Sequence, residues 1–238
     1  MRIVECEQGS AQWLDERVGR ITASRVAEAL SKYKLKSKTD AETAERRNYK
    51  VDLIVERLTG RSTENFNSPE MQWGTLYEPE ARTAYEMQSD VMTEQVGFIL
   101  HPLWDFSGAS PDSLIGLDGG LEIKCPKSAT HYKWRKAGVV PEEHQAQVLW
   151  NMHCAGRAWW DFASYDPRMP DGLRLFVVRM YRDDDRITEI EAEVMRFNQE
   201  IEAEIAEDRK CIVAPQPKAP TDHYDDLMQI IGQQELVP

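Results

Sequence analysis

The sequence predicts a mixed α/β fold, a central sheet flanked by helices. Two observations predict it. Helical stripes fill the first ninety residues, and short runs with the period of two typical of strands follow Gly97. Two aromatic, β-branched strands and one long amphipathic helix then close the order.

The elements follow in order. "ITASRVAEAL" reads as a short helix beginning near Thr22 or Ser24, either of which could cap it. In "AERRNYKVDLIVERLTG", Tyr49, Leu53, Ile54 and Leu58 form a helical stripe that Gly60 stops. Ser68-Pro69-Glu70 opens the next helix with proline at its first position. Trp73, Leu76, Tyr77, Ala81, Ala84 and Tyr85 continue at helical spacing, and Pro79 should kink it. "VGFILH", "DFSGA", "SLIGL" and "LEIKC" read as strands. Asp118-Gly119 is a hairpin turn signal. "PEEHQAQVLWNMHCAG" is a helix from Pro141 to Gly156, and "AWWDFASY" and "RLFVVRMY" are strands. Ile187, Ile190, Val194, Phe197, Ile201 and Ile205 stripe the last helix. One domain is expected over residues 1–212, followed by a proline-rich linker and tail over 213–238.

Composition narrows the class. The 238 residues are 41% hydrophobic and 29% charged, a globular balance, and no apolar run reaches membrane-spanning length. "MRIVECEQGS" turns polar too soon for a signal peptide, which predicts a cytoplasmic protein. Cys6, Cys125, Cys154 and Cys211 show no zinc spacing. The net charge of -12 argues against a nucleic-acid coat protein. It leaves room for a DNA enzyme, because basic residues gather in "SKYKLKSKTD" and "KSATHYKWRK", read as loops, while the last helix is acidic.

One stretch carries chemistry. "GASPDSLIGLDGGLEIKCP" sets Asp112 ahead of a turn and returns with Glu122-Ile123-Lys124. Residues two apart on a strand share a face, so Glu122 and Lys124 project together. Symmetric pairing about Asp118-Gly119 would not place Asp112 opposite Glu122, so a bulge or splay is expected. Two carboxylates, a main-chain carbonyl and water make an oxygen-rich site suited to Mg²⁺ or Mn²⁺. An exposed charged hairpin would use the same residues and do nothing.

Pro111-Asp112 and Glu122-Ile123-Lys124 match the core signature of the PD-(D/E)xK nuclease fold. "SAQWLDERVGRITAS", "QWGTLYEPEAR", "GASPDSL", "LEIKCP", "HQAQVLWNM" and "WWDFASYDPRM" resemble, in order, the motifs of the phage lambda exonuclease-type viral recombination nucleases, the YqaJ-like branch of that superfamily. The resemblance covers roughly residues 8–210. It implies a processive 5′-to-3′ exonuclease that degrades one strand of linear double-stranded DNA from its end. It further implies dependence on Mg²⁺ with Mn²⁺ as a substitute, a homotrimer ring, a single-strand annealing protein as partner, and a phage or prophage origin. By the same resemblance Asp112, Glu122 and the Ile123 carbonyl are metal ligands, Lys124 is the catalytic lysine, and Glu78 lines the site. Arg17, Ser24, Ser110 and Gln147 match residues that hold the 5′-phosphate. Trp13, Trp73, Trp150, Trp159 and Trp160 are expected in the core or interfaces, and His144 and His153 as structural residues. Lys32, Lys34, Lys36 and Lys38 fall where a loop could touch the DNA backbone. Two alternatives stand beside this. An iron–sulfur nuclease of the RecB or CRISPR-associated type needs a late cysteine cluster, and only Cys211 is late. A DNA-end-binding scaffold would have no need of the full carboxylate and lysine set.

Overall fold

The computed structural model describes residues 1–31, 42–63 and 68–212. The lysines at 32–38 and the tail after 212 lie outside the described residues. Residues Met1–Glu202 form one compact unit, and the last turns of the final helix, from Ala203, belong to a second.

The chain runs β1 (Arg2–Val4), α1 (Ala11–Arg17), β2 (Ile21–Thr22), a 3-10 turn (Ala23–Arg25), α2 (Val26–Ala29), α3 (Ala44–Thr59) and α4 (Pro69–Ser89). β3 (Phe98–Leu100), β4 (Ser107–Ala109), β5 (Ser113–Ile115) and β6 (Gly119–Lys124) follow. Then come α5 (Ser128–Ala137), α6 (Glu142–Ala155), β7 (Trp159–Tyr165), β8 (Leu175–Tyr181) and α7 (Asp184–Ile212). β1 and α1 were not among the expected elements. "KSATHYKWRK" is mostly the helix α5 and not a loop: His131 is buried and hydrogen-bonded to Ser164 and the Leu173 carbonyl, and Trp134 packs edge-on against Phe162 and His144. Neither Thr22 nor Ser24 caps the short helix that follows them. The turn starting at Thr22 has no side-chain cap, and both hydroxyls are engaged elsewhere, 3.2 Å from each other.

Where caps do form, they follow the expected chemistry. Ser10, Thr43 and Ser68 accept the N–H of Trp13, Arg46 and Met71 and so start α1, α3 and α4. Gly60 and Gly156 end α3 and α6 in the left-handed region. α4 continues through Pro79 as one helix, leaving the Thr75 carbonyl without that partner.

One sheet was expected, and hydrogen bonding divides the strands into two mixed sheets, β1-β3-β4-β2 and β5-β6-β7-β8. β4 and β5 are nearly continuous in sequence, but Pro111 lies between them and has no N–H to extend a ladder. β6 and β7 are parallel; β5 with β6 and β7 with β8 are antiparallel. α4 covers one face of this second sheet through Ala81 and Tyr85, which pack with Leu121, Ile123 and Ala163. On α6, Val148, Leu149, Trp150 and Met152 are buried.

The β5–β6 turn differs from the expectation. The pairs are Ser113 with Leu121, Leu114 with Gly120 and Ile115 with Gly119. The loop is therefore residues 116–118, with Gly116 at φ +51°, and Gly119 is already strand. Gly119 and Gly120 serve close approach instead of turning. A Cβ on either would lie 2.2 Å from the ring of Trp159 or Trp160 respectively.

Gly120→Val should therefore force apart β6 and the buried Trp160. Overpacking of this kind costs about 1–3 kcal/mol, and urea unfolding should read that loss with an unchanged slope. A melting curve identical to wild type would mean that the strands part freely there.

Candidate active site

The three-residue loop sets the geometry of the site. Extending the β5–β6 register by one pair beyond Ser113 and Leu121 puts Asp112 directly opposite Glu122. No bulge is needed. Asp112 Oδ2 accepts the Ile123 N–H at 2.5 Å, which ties the end of one strand to the other. Glu122 is only 2% exposed. Its Oε1 accepts from Gln147 Nε2 at 2.6 Å and Lys124 Nζ at 2.6 Å, and its Oε2 from Asn151 Nδ2 at 2.9 Å. Gln147 and Asn151 are four apart on α6 and so share one helix face. Lys124, at the end of β6, keeps 29% of its side chain exposed and marks the mouth of the site.

α4 adds the third carboxylate. Arg82 follows Glu78 by one helical turn and binds its Oε1. The same guanidinium donates to the Asp112 carbonyl at 2.6 Å and to the Ser113 hydroxyl. On the far side of the loop, Gln8 Nε2 donates to the carbonyls of Pro111 at 2.8 Å and Val96 at 2.9 Å.

Electrostatics set these groups apart. Burial, then the charges of Glu122 and Glu78, push the Asp112 carboxyl well above the usual range. Burial also raises Glu78; Arg82 and Lys124 oppose the shift and Glu122 adds to it. Burial works against the charge of Lys124, but Glu122, Asp112 and Glu78 outweigh it and raise its pKa. His144, close to that ammonium, is lowered to about 4, mainly by burial and then by Lys124. The cluster holds three carboxyl groups and two cations, so with all three acids ionised one negative charge is unbalanced. Carboxylate oxygens with an excess of negative charge fit a hard divalent cation.

A second cluster forms beside it. Arg17 donates to Ser110 Oγ at 3.3 Å and Ser24 Oγ at 3.4 Å. Trp13 Nε1 donates to Ser110 Oγ at 2.9 Å, and the Arg17 guanidinium lies 4.4 Å from the Trp13 ring centroid. Arg17, Ser24 and Ser110 are thus brought together, and Gln147 Nε2 donates to Glu122. A cavity of about 630 Å³ between α1 and α4 is lined by Gln8, Trp13, Thr75, Glu78, Arg82 and Gln95 and so adjoins both clusters. Sequence reasoning missed Trp13, Arg82 and Asn151. The last two were readable as i+4 partners of Glu78 and Gln147.

Among the described residues His101, His153 on α6 and Glu191 on α7 also converge. The imidazole Nε2 atoms are 2.9 Å apart, and Glu191 Oε1 lies 3.4 and 3.1 Å from them. Those spacings suit a metal, but the proton placement does not. His101 Nδ1 accepts the N–H of Leu103 and of Trp104, each at 3.2 Å, so its ring proton sits on Nε2. A metal-bound histidine has the reverse arrangement. The group reads as a hydrogen-bonded cluster. Burial lowers His101 to about 3 and also lowers His153, so both rings are neutral.

A sequence profile of the YqaJ-like viral recombinase domain matches residues 12–158, more than half of the chain. The chain belongs to the YqaJ-like viral recombinase family. Among solved structures, an alkaline exonuclease (LHK-Exo) from Laribacter hongkongensis is 41% identical, with a TM-score of 0.77 over 85% of this chain and 98% of that one. The same exonuclease in complex with dAMP aligns at 40% identity and a TM-score of 0.78, with equal coverage. A phage-related exonuclease from Haemophilus somnus 129PT shares the fold, at 14% identity and a TM-score of 0.62 over 79% of this chain and 96% of that one. A comparison with the curated proteins finds no match. This YqaJ-like domain therefore has the PD-(D/E)xK fold in a family of nucleases, which are in general metal-dependent.

The raised Asp112 carboxyl has a consequence for stability. Its folded pKa lies above its unfolded value, so the fold holds this proton more tightly than the unfolded chain does. That contribution is full below the ordinary carboxylate range and is lost as pH rises through the raised value. Asp112→Asn, which can still accept from Ile123, should raise the melting temperature of metal-free protein by a few degrees at pH 8. It should change little at pH 4. Scanning calorimetry at both values tests this, and equal shifts would contradict it.

Proposed function

We propose that this chain is a 5′-to-3′ exodeoxyribonuclease acting on linear double-stranded DNA. It removes one strand processively from the end, releases 5′-mononucleotides and leaves 3′ single-stranded DNA for annealing-type recombination. The observation that carries the reading is the meeting of Asp112, Glu122, Lys124 and Glu78 at the end of one strand pair, beside the Arg17 cluster.

Asp112, Glu122 and the Ile123 carbonyl would hold Mg²⁺, or Mn²⁺ in its place, with Glu78 lining the same face. When bound, the ion neutralises charge on the phosphate and lowers the pKa of a coordinated water. Gln147 and Asn151 orient Glu122 through neutral donors, so its charge remains available. Lys124, kept protonated by the surrounding carboxylates, orients the attacking water and stabilises charge developing on the phosphate. Arg17 grips the terminal 5′-phosphate in a charge-assisted pair, with Ser24 and Ser110 completing the pocket. Trp13 supports the guanidinium from beneath. Gln147, four residues from Asn151, donates one amide N–H to Glu122, and the second N–H of the same nitrogen can serve the phosphate.

The dAMP complex of LHK-Exo supports a mononucleotide product. The net charge of -12 supports a closed homotrimer ring, in which topology and not tight phosphate contact retains the duplex. A single-strand annealing protein would take the 3′ strand, in the cytoplasm of a bacterial host. Among the described residues no helix is long and apolar enough to cross a membrane.

Asp112→Ala and Glu122→Ala should abolish release of nucleotides from linear duplex in Mg²⁺ while leaving the circular dichroism spectrum unchanged. Lys124→Ala should lower kcat by about 10²–10³-fold. Wild-type rates in either carboxylate variant would refute the site.

Duplex with 5′-phosphate ends should be digested faster than duplex with 5′-hydroxyl ends. Loss of a charge-assisted contact is worth about 1.5–3 kcal/mol, or about tenfold to hundredfold, and Arg17→Ala should erase most of that preference. Digestion beginning at 3′ ends would overturn the polarity. Light scattering should give the mass of three 27.4 kDa chains, and covalently closed circles should stay intact.

A further inference from the structure

Arg82 belongs to neither proposed set, metal ligands or phosphate pocket, yet it bonds to Glu78, the Asp112 carbonyl and Ser113. It is 11% exposed. Its guanidinium presents donors in a fixed planar fork, and the fork meets acceptors from two elements, α4 and the start of β5. One arm binds the Glu78 carboxylate on α4. The other binds the Asp112 carbonyl at 2.6 Å and the Ser113 hydroxyl, at the start of β5. Ser113 Oγ in turn donates to the Asp112 carbonyl at 2.5 Å, which closes a small ring of bonds at the Asp112 main chain. The Asp112 carboxylate is held from the other side, by the Ile123 N–H.

Helix α4 and the β5–β6 hairpin meet through apolar contacts, Ala81 and Tyr85 against Ile115, Leu121 and Ile123. Such contacts are not directional and do not fix where a carboxylate one turn further along the helix points. The fork does. It also sets a positive charge against Glu78, which helps two acids at a common site tolerate each other's charge.

We propose that Arg82 is a positioning residue that locks the Glu78 carboxylate and the Asp112 main chain into one preorganised cation-binding face. The inference rests on the proposed reading of Asp112 and Glu122 as metal ligands. Outer partners of ligand groups are worth about tenfold to hundredfold in metal affinity or activity, and Arg82 should fall in that range. A lysine keeps the charge but not the three-way fork, and a glutamine keeps neither, so the two variants separate charge from geometry.

Mn²⁺ binding to wild type, Arg82→Lys, Arg82→Gln and Asp112→Ala tests this, read by electron paramagnetic resonance of the free ion without DNA. kcat and KM on linear duplex in Mg²⁺ are measured beside it, with circular dichroism as the check on folding. Arg82→Gln should bind Mn²⁺ about tenfold or more weakly and lose kcat by a similar factor, with KM for DNA unchanged. Arg82→Lys should lie between it and wild type. Should Arg82→Gln fail to fold, Arg82→Lys decides alone, and several-fold weaker Mn²⁺ binding is the supporting result. Wild-type Mn²⁺ affinity in a folded Arg82 variant, while Asp112→Ala loses binding, overturns the inference and leaves the metal site standing. Wild-type Mn²⁺ binding in Asp112→Ala overturns the metal reading itself. A rise in KM with unchanged Mn²⁺ affinity also overturns the inference, since it would make Arg82 a DNA contact.

Discussion

Three carboxylates set close together in a partly buried site are the constraint on which the rest of this structure depends. Burial disfavours each charge, and each charge disfavours the others. Asp112 bears the largest part of that conflict, with both Glu122 and Glu78 raising it. Left to itself the arrangement would take up protons or come apart. The surrounding elements supply enough hydrogen bonds to hold it and too little positive charge to neutralise it.

How each acid is held follows from that balance. Glu122, the most buried, receives two amide donors from α6 and the ammonium of Lys124. Amides satisfy oxygens without cancelling charge. Asp112 receives a main-chain N–H, which costs no side chain and ties its position to the strand register. Glu78 receives Arg82 from its own helix. The cations are thus distributed one to β6 and one to α4, and the unbalanced negative charge remains where a divalent ion would act. Stability and function pull in opposite directions here, as is common at sites built for charge.

The neighbouring Arg17 cluster is built from different groups. Its contacts include two hydroxyls and an indole, those of Ser24, Ser110 and Trp13. The acidic and basic clusters adjoin one cavity, and Ser110 and Asp112 stand two residues apart on the segment that joins the two sheets. The break at Pro111 therefore does more than end a ladder: it turns one residue of that segment toward each cluster.

By itself the sequence determined the elements that depend on local chemistry. The stripes of α3, α4, α6 and α7, their caps at Ser68 and Gly60, and the aromatic strands β7 and β8 were readable from periodicity and capping, because neighbours along the chain set both. The carboxylates and Lys124 were readable as a pattern, and their motifs carried the family. Where donors point was not readable. The register that sets Asp112 opposite Glu122 depends on a loop of residues 116–118 and on Trp159 and Trp160 lying over Gly119 and Gly120. α5 looked like a charged loop because its inward side is one histidine and one tryptophan, buried or covered only by partners distant in sequence such as Ser164, Leu173 and Phe162. The motif places Gln147 at a phosphate, and only the fold shows its amide 2.6 Å from Glu122. The tertiary structure alone decided these, because each depends on what residues distant in sequence place across a strand or beneath a helix. Local propensity carries no information about that.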